Sequence, residues 1–210
     1  VAGAELWKTD GTVGGTTVMI KDIYPGSKSS NSQSFIVYNN ILYFQANDGV
    51  NGAELWRSDG TETGTYMVMD IYPGGWHGTP NSSGPKNFVV YNDTLFFSAY
   101  TDKGAELWKS DGDTAMLVKD MYAGGGWGGG SSNPNNLTVF NGYLYFSAVY
   151  STKDNYELYR SDGTKAGTSL FMEIFTGKTG SKPANFVVIG NNMFFTAADT
   201  VNEREVWITD

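Results

Sequence analysis

Five glutamates recur along the chain inside one short motif: Glu5-Leu6-Trp7, Glu54-Leu55-Trp56, Glu106-Leu107-Trp108, Glu157-Leu158-Tyr159 and Glu205-Val206-Trp207. Carboxylates held in pairs can cleave a glycosidic bond, one as acid and the other as base or nucleophile. A catalytic pair has to break the symmetry of a repeat, and these residues obey it. They are expected instead to accept hydrogen bonds from backbone N–H groups of a neighbouring strand or repeat. Asp10, Asp59, Asp111 and Asp162 each precede Gly and suit turns whose side chain bonds the backbone two residues on. One carboxylate per such loop is thin for calcium, which takes six to eight oxygens. No cofactor is expected, with calcium at these loops as the alternative.

Other chemistry is set by what departs from the repeat. Trp76 and Trp127 each sit inside glycine, in Gly74-Gly75-Trp76-His77-Gly78 and Gly124-Gly125-Gly126-Trp127-Gly128. A Trp face stacks on the C–H side of a sugar ring while nearby amides supply hydrogen bonds. Tyr100 and Tyr150 are placed to join them, so Trp76, His77, Trp127, Tyr100 and Tyr150 form the candidate carbohydrate site. The alternative is that both tryptophans plug the space between blades. His77 is the single histidine, which excludes a multi-histidine metal site. It has no serine partner in a nucleophile-elbow setting, and the glycine run at 124–130 lacks a P-loop lysine. No catalytic residue is assigned.

These residues must be carried by a module of about fifty residues used four times, because the Glu-Leu-Trp motif returns at that interval. Four of its five copies run into Asp-Gly, and three extend to Asp-Gly-Thr-x-x-Gly-Thr, at 10–16, 59–65 and 162–168. The third copy departs, with Asp111-Gly112-Asp113-Thr114. Each period offers an apolar hairpin (35–38 with 41–46, 88–91 with 95–99, 137–140 with 143–148, 186–189 with 193–197). Asn39-Asn40, Asn92-Asp93, Asn141-Gly142 and Gly190-Asn191 join these strands and suit tight turns with positive φ. The Glu-Leu-Trp strand comes third and another apolar strand fourth.

The paired strands are apolar on both faces, as in Ile41-Leu42-Tyr43-Phe44. A sheet with one wet face would alternate, so each sheet is expected to be covered on both sides, as a blade is by its neighbours. The fold class is therefore all-β: a β-propeller of four-stranded antiparallel blades, with residues 1–210 as one domain and four blades expected. A ring of four needs sixteen strands and this reading gives seventeen. The first strands would pair with the last hairpin, or the chain is an excerpt of a longer array or half of a ring shared by two chains. The long crossovers at 25–33, 73–86, 123–135 and 176–182 share one face with the second-to-third turns, and that face is where binding is expected.

The Glu-Leu-Trp-x-x-Asp-Gly-Thr-x-x-Gly-Thr pattern resembles the ELWxxDGT repeats of large exported bacterial surface proteins, over essentially the whole chain. The resemblance implies a propeller-like fold and export, hence a secreted or cell-surface location, and implies little about activity.

Formal net charge is −8 with no cysteine, so disulfides and thiolate chemistry are excluded and nucleic acid and anionic membranes are disfavoured partners. No apolar run is long enough for a membrane span, and no signal segment opens the chain. The expected partner is a carbohydrate or glycoconjugate, with a homodimer also open. The function expected is a non-enzymatic, lectin-like binding protein acting in adhesion or agglutination. Alternatives are a structural segment of a surface or matrix protein, and a glycoside-active enzyme.

Overall fold

The computed structural model describes residues 1–123, 130–149, 155–177, 179–201 and 203–210. They form nineteen strands and, among the described residues, no helix. β1 (Leu6–Thr9) and β2 (Thr17–Lys21) make a two-stranded sheet. Three complete blades follow, each a four-stranded antiparallel meander. The first contains β3 (Gln33–Tyr38), β4 (Ile41–Asn47), β5 (Ala53–Ser58) and β6 (Tyr66–Met69). A two-residue pair, β7 (Gly75–Trp76) with β8 (Thr79–Pro80), lies in the crossover. The second blade has β9 (Lys86–Val90), β10 (Leu95–Thr101), β11 (Gly104–Ser110) and β12 (Ala115–Lys119). The third has β13 (Asn135–Phe140), β14 (Tyr143–Val149), β15 (Tyr156–Ser161) and β16 (Ser169–Met172). A three-stranded sheet of β17 (Ala184–Ile189), β18 (Asn192–Ala198) and β19 (Arg204–Thr209) ends the series.

The hairpin turns are built as their sequences require. Asn39, Asn40, Asn92, Asp93, Asn141 and Gly142 all have φ between 44° and 74°, and Gly190 has φ 59°. The third-to-fourth turns explain the longer motif. Asp59 Oδ1 accepts from the Thr61 amide at 2.8 Å and its hydroxyl at 2.7 Å, and Asp162 does the same for Thr164. A side chain at Gly64 or Gly167 would collide with that carboxylate, which is why glycine stands there. The third copy has no second glycine, and its Asp111 Oδ1 bonds the amides of Asp113 and Thr114 instead.

Successive sheets pack face to face, always with unlike faces. Tyr38, Tyr43 and Leu55 of one blade meet Leu95, Phe97 and Trp108 of the next. Tyr91, Phe96 and Leu107 meet Leu144, Phe146 and Tyr159 in the same manner, and Phe140, Tyr145 and Leu158 meet Met193 and Phe195. The repeated Trp, Leu and Tyr side chains are thus the core between blades, and the inner strands β3, β9, β13 and β17 stand side by side in order. This is a β-propeller. Tyrosines latch the seams at the inner edge: Tyr38 Oη donates to the Asp93 carbonyl at 2.8 Å and Tyr91 Oη to the Gly142 carbonyl at 2.6 Å.

The repeated glutamates are the second seam. Glu54 accepts from the Ile71 amide (3.0 Å), the Ser83 amide (2.8 Å) and the Ser83 hydroxyl (2.5 Å). Glu106 takes Met121 and Ser132, and Glu157 takes Ile174 and Ser181, with the same atoms. The carbonyls of Ser83, Ser132 and Ser181 then accept from Tyr100, Val149 and Ala198, at the end of the next blade's second strand. Glu54, Glu106 and Glu157 therefore each tie their own sheet to the following one, as the sequence led us to expect.

Four-bladed closure is not found. β1 and β2 form their own sheet, and among the described residues no strand joins them to β17–β19. The outer edge of β18 is already taken by β19, its own third strand, which leaves β1 no edge on the last hairpin. Among the described residues complete blades number three, flanked by two partial sheets.

Glu106→Ala leaves the two buried Ser132 donors and the half-buried Met121 amide without an acceptor and is expected to cost about 3–5 kcal/mol. Glu205→Ala, at an exposed copy of the same position, is expected to stay within about 0.5 kcal/mol. Urea denaturation of the two variants, side by side, checks this contrast.

Candidate functional site

Of the aromatics expected at a sugar site, the structure describes Trp76, His77 and Tyr100; Trp127 and Tyr150 lie outside the described residues. Trp76 is 77% exposed on the short β7–β8 pair and is therefore no plug. Its ring meets His77 edge-on at 4.9 Å, and His77 turns the chain with φ 50°. Tyr100 is exposed and meets Tyr72 edge-on at 5.8 Å. Trp76 with His77 and Tyr100 with Tyr72 are thus two separate ring pairs. A cleft of about 480 Å³ next to Tyr72 is lined by Pro73, Asp102, Lys103 and Trp108, and by neither Trp76 nor Tyr100.

A second cleft, of about 410 Å³, opens where the inner strands begin, on the face that carries the crossovers. Its lining comes from three successive sheets: Lys86, Asn87 and Ser98; Asn133–Asn136, Ser147 and Tyr156; Lys182, Pro183, Ala184 and Arg204. Local geometry creates it. Each inner strand starts with a bulge, where the ladder register shifts against the second strand. Ser34, Asn87, Asn136 and Asn185 occupy those bulges with φ from 56° to 59°. Three positions earlier lies another left-handed residue, Asn31, Gly84, Asn133 or Lys182. Asn87 Nδ2 donates to the Pro134 carbonyl of the next sheet at 3.1 Å, and Asn136 Nδ2 to the Pro183 carbonyl at 3.5 Å.

The cleft is cationic in a protein of net charge −8: its lining holds Lys86, Lys182 and Arg204 and no carboxylate. Arg204 is held by its Nη2 donating to the Lys182 carbonyl (2.7 Å) and its Nη1 to Thr196 Oγ1 (2.7 Å). Three lining residues depart from the repeat. Lys182 replaces the Asn or Gly of the other left-handed sites, and Tyr156 and Arg204 replace the alanine before the motif glutamate. A lysine with φ 49° carries a strain of about 1–2 kcal/mol that asparagine or glycine relieves. Strain of this kind collects at functional sites. The sequence does carry a signal for this site: Pro85-Lys86-Asn87, Pro134-Asn135-Asn136 and Pro183-Ala184-Asn185 repeat a Pro-x-Asn step.

No carboxylate lines this cleft, and Glu54, Glu106 and Glu157 are committed to their clamps. Burial pushes the Glu106 carboxyl up to about 7 against the lowering effect of its Ser132 and Met121 donors, and raises Glu54 for the same reason. Backbone donation from Thr12 and Thr16 holds Asp10 down at about 2.

The two shifts act in opposite directions. A buried carboxyl with a raised pKa favours the fold most below its ordinary 4.5, and that contribution is lost as pH rises to about 7. The depressed Asp10 contributes above 3.8, and loses its contribution as pH falls towards about 2. Denaturation midpoints are therefore expected to decline from about pH 4.5 to about pH 7, and the Glu106→Gln chain is expected to show a shallower decline. Parallel urea titrations across that range measure both slopes.

No family model and no curated protein matches the chain. Among solved structures it is similar to an α-L-arabinofuranosidase (CtGH43) from Clostridium thermocellum, with TM-score 0.41 and 16% identity over 90% of this chain and 72% of that one. It is also similar to Zg3597, a family 117 glycoside hydrolase of the marine bacterium Zobellia galactanivorans. There the TM-score is 0.44 and identity 11%, over 85% of this chain and 65% of that one. These likenesses concern the fold. They correct the expectation of a non-enzymatic, lectin-like protein: both matched proteins are glycoside hydrolases, so the fold gives no ground for ruling out catalysis, and that exclusion is withdrawn.

Proposed function

We propose that the protein receives an acidic saccharide in the cleft at the inner ends of its blades. The observation that carries this reading is the lining itself, three cations with no opposing carboxylate among asparagine and serine side chains. Guanidinium and ammonium groups bind a carboxylate or sulfate through charge-assisted hydrogen bonds. Amides and hydroxyls suit the ring hydroxyls around it, and about 410 Å³ lies in the range that holds a small ligand. A carbohydrate partner is also what the sequence suggested, now at a different set of residues.

Calorimetric titration with a uronic-acid oligosaccharide and with its neutral methyl ester tests the proposal. The acid form is expected to bind, more weakly as salt rises. Arg204→Ala and Lys182→Asn are each expected to weaken it about tenfold, or ~1.4 kcal/mol. Lys182→Asn removes the backbone strain, so it is expected to raise the melting temperature while binding falls, a pairing that a merely structural lysine would not give. Trp76→Ala, outside the cleft, is expected to leave affinity unchanged. Equal binding of acid and ester, or binding indifferent to both cleft variants, overturns the proposal. Chromatography of the same mixtures shows whether the bound saccharide is cleaved.

A further inference from the structure

We propose that the cleft beside Tyr72 is a second ligand site, and that it takes a small zwitterion with a hydroxylated aromatic ring, the chemistry of free tyrosine. The cleft, of about 480 Å³, lies between the first two complete blades and shares no residue with the cationic cleft. A departure from the repeat opens it. In the first blade five residues, 48–52, join the second strand to the third. Gly49 there closes on the ring of Tyr24, which follows β2, so that any side chain at position 49 would collide with it. In the second blade only Asp102 and Lys103 make the same connection. The shorter turn leaves Tyr72, the counterpart of Tyr24, to line the cleft, held edge-on against Tyr100.

The lining says what fits. Ile71 and Leu117, with the Tyr72 ring, give apolar walls that suit a flat ring. Trp108 lines the cleft as well; it is 8% exposed, and its buried Nε1–H has no acceptor in the protein. At the same strand position Trp207 Nε1 donates to the Ala197 carbonyl at 3.1 Å. Trp56 also lacks an acceptor, but its seam is the one that the longer turn covers. A buried donor left unmet is costly, so a ligand that brings an oxygen to Trp108 gains a hydrogen bond with its contact area. At the mouth stand one carboxylate and one ammonium, Asp102 and Lys103, both exposed and, among the described residues, neither in an ion pair. A singly charged ligand is repelled by one of them. A zwitterion meets both, its ammonium at Asp102 and its carboxylate at Lys103, while its ring enters beside Tyr72 and its hydroxyl oxygen accepts from Trp108.

Nuclear magnetic resonance of the indole N–H groups, during titration of the isotope-labelled chain with tyrosine, phenylalanine and N-acetyltyrosinamide, tests this. The chain has six tryptophans, and the Trp108 signal is the one lost in Trp108→Phe. Tyrosine is expected to move that signal downfield as the hydrogen bond forms. Phenylalanine, which lacks the hydroxyl, is expected to bind about fivefold more weakly, and N-acetyltyrosinamide, which lacks both charges, about tenfold more weakly. Asp102→Asn and Lys103→Gln change exposed residues, so folding is expected to persist by circular dichroism, and each is expected to weaken tyrosine about fivefold. Three results overturn the proposal: a Trp108 signal that tyrosine leaves in place up to about 2 mM, where even weak binding would be populated; equal binding of the three compounds; or rim variants that bind tyrosine like the unaltered chain.

Discussion

A buried carboxylate with three donors governs how this fold is put together. Burial of Glu54, Glu106 and Glu157 is costly unless every lone pair finds a donor, and the donors come from two places at once. One is the amide where the fourth strand ends, and the other is a buried serine at the far end of the crossover. That serine's carbonyl in turn receives the second strand of the next blade. The length of the crossover is free to vary between these fixed points, which is how a two-strand pair carrying Trp76 can be inserted in one copy without disturbing the register.

The clamp also positions the cleft. The residue after each clamp serine is the left-handed one, and in the last copy that residue is Lys182, directly after Ser181. A strained lysine backbone persists only where its surroundings over-determine it. Here the Ser181 amide and hydroxyl are pinned by Glu157, the Lys182 amide bonds the Tyr156 carbonyl, and the Lys182 carbonyl accepts from Arg204. Rigid repetition supplies the scaffold, and the departures from it supply the chemistry.

This division explains what the sequence disclosed. The repeat, the hairpin turns and the core role of Trp56 and Trp108 are local or periodic properties, so composition and spacing carry them. The glutamate clamp was legible for the same reason, since a strict repeat argues for a structural role. The cleft was not, because it depends on bulges that appear only when Asn87 or Asn136 is set against a partner strand. Isolated in sequence, Pro-x-Asn is a common loop fragment. Trp76 was conspicuous for the converse reason, an aromatic ring set in glycine, and the structure places it with His77 on a short strand pair apart from the cleft. Closure failed because counting strands does not tell which edges are already occupied.

The polarity of the seams has a consequence for how such modules can extend. A sheet whose two faces were alike could pack against itself by a two-fold axis, and growth would stop at a pair. In this chain the Leu55, Leu107 and Leu158 position faces forward while the Trp108, Tyr159 and Trp207 position faces backward, and the clamp reaches in one direction only, from Glu in one blade to Ser before the next. Two forward faces brought together would bury Tyr latches without the turn carbonyls they donate to, leaving polar groups unsatisfied in the interface. Directional stacking is therefore enforced by hydrogen bonding as much as by shape. Apolar faces alone would tolerate several pairings; the tyrosine and glutamate seams select one.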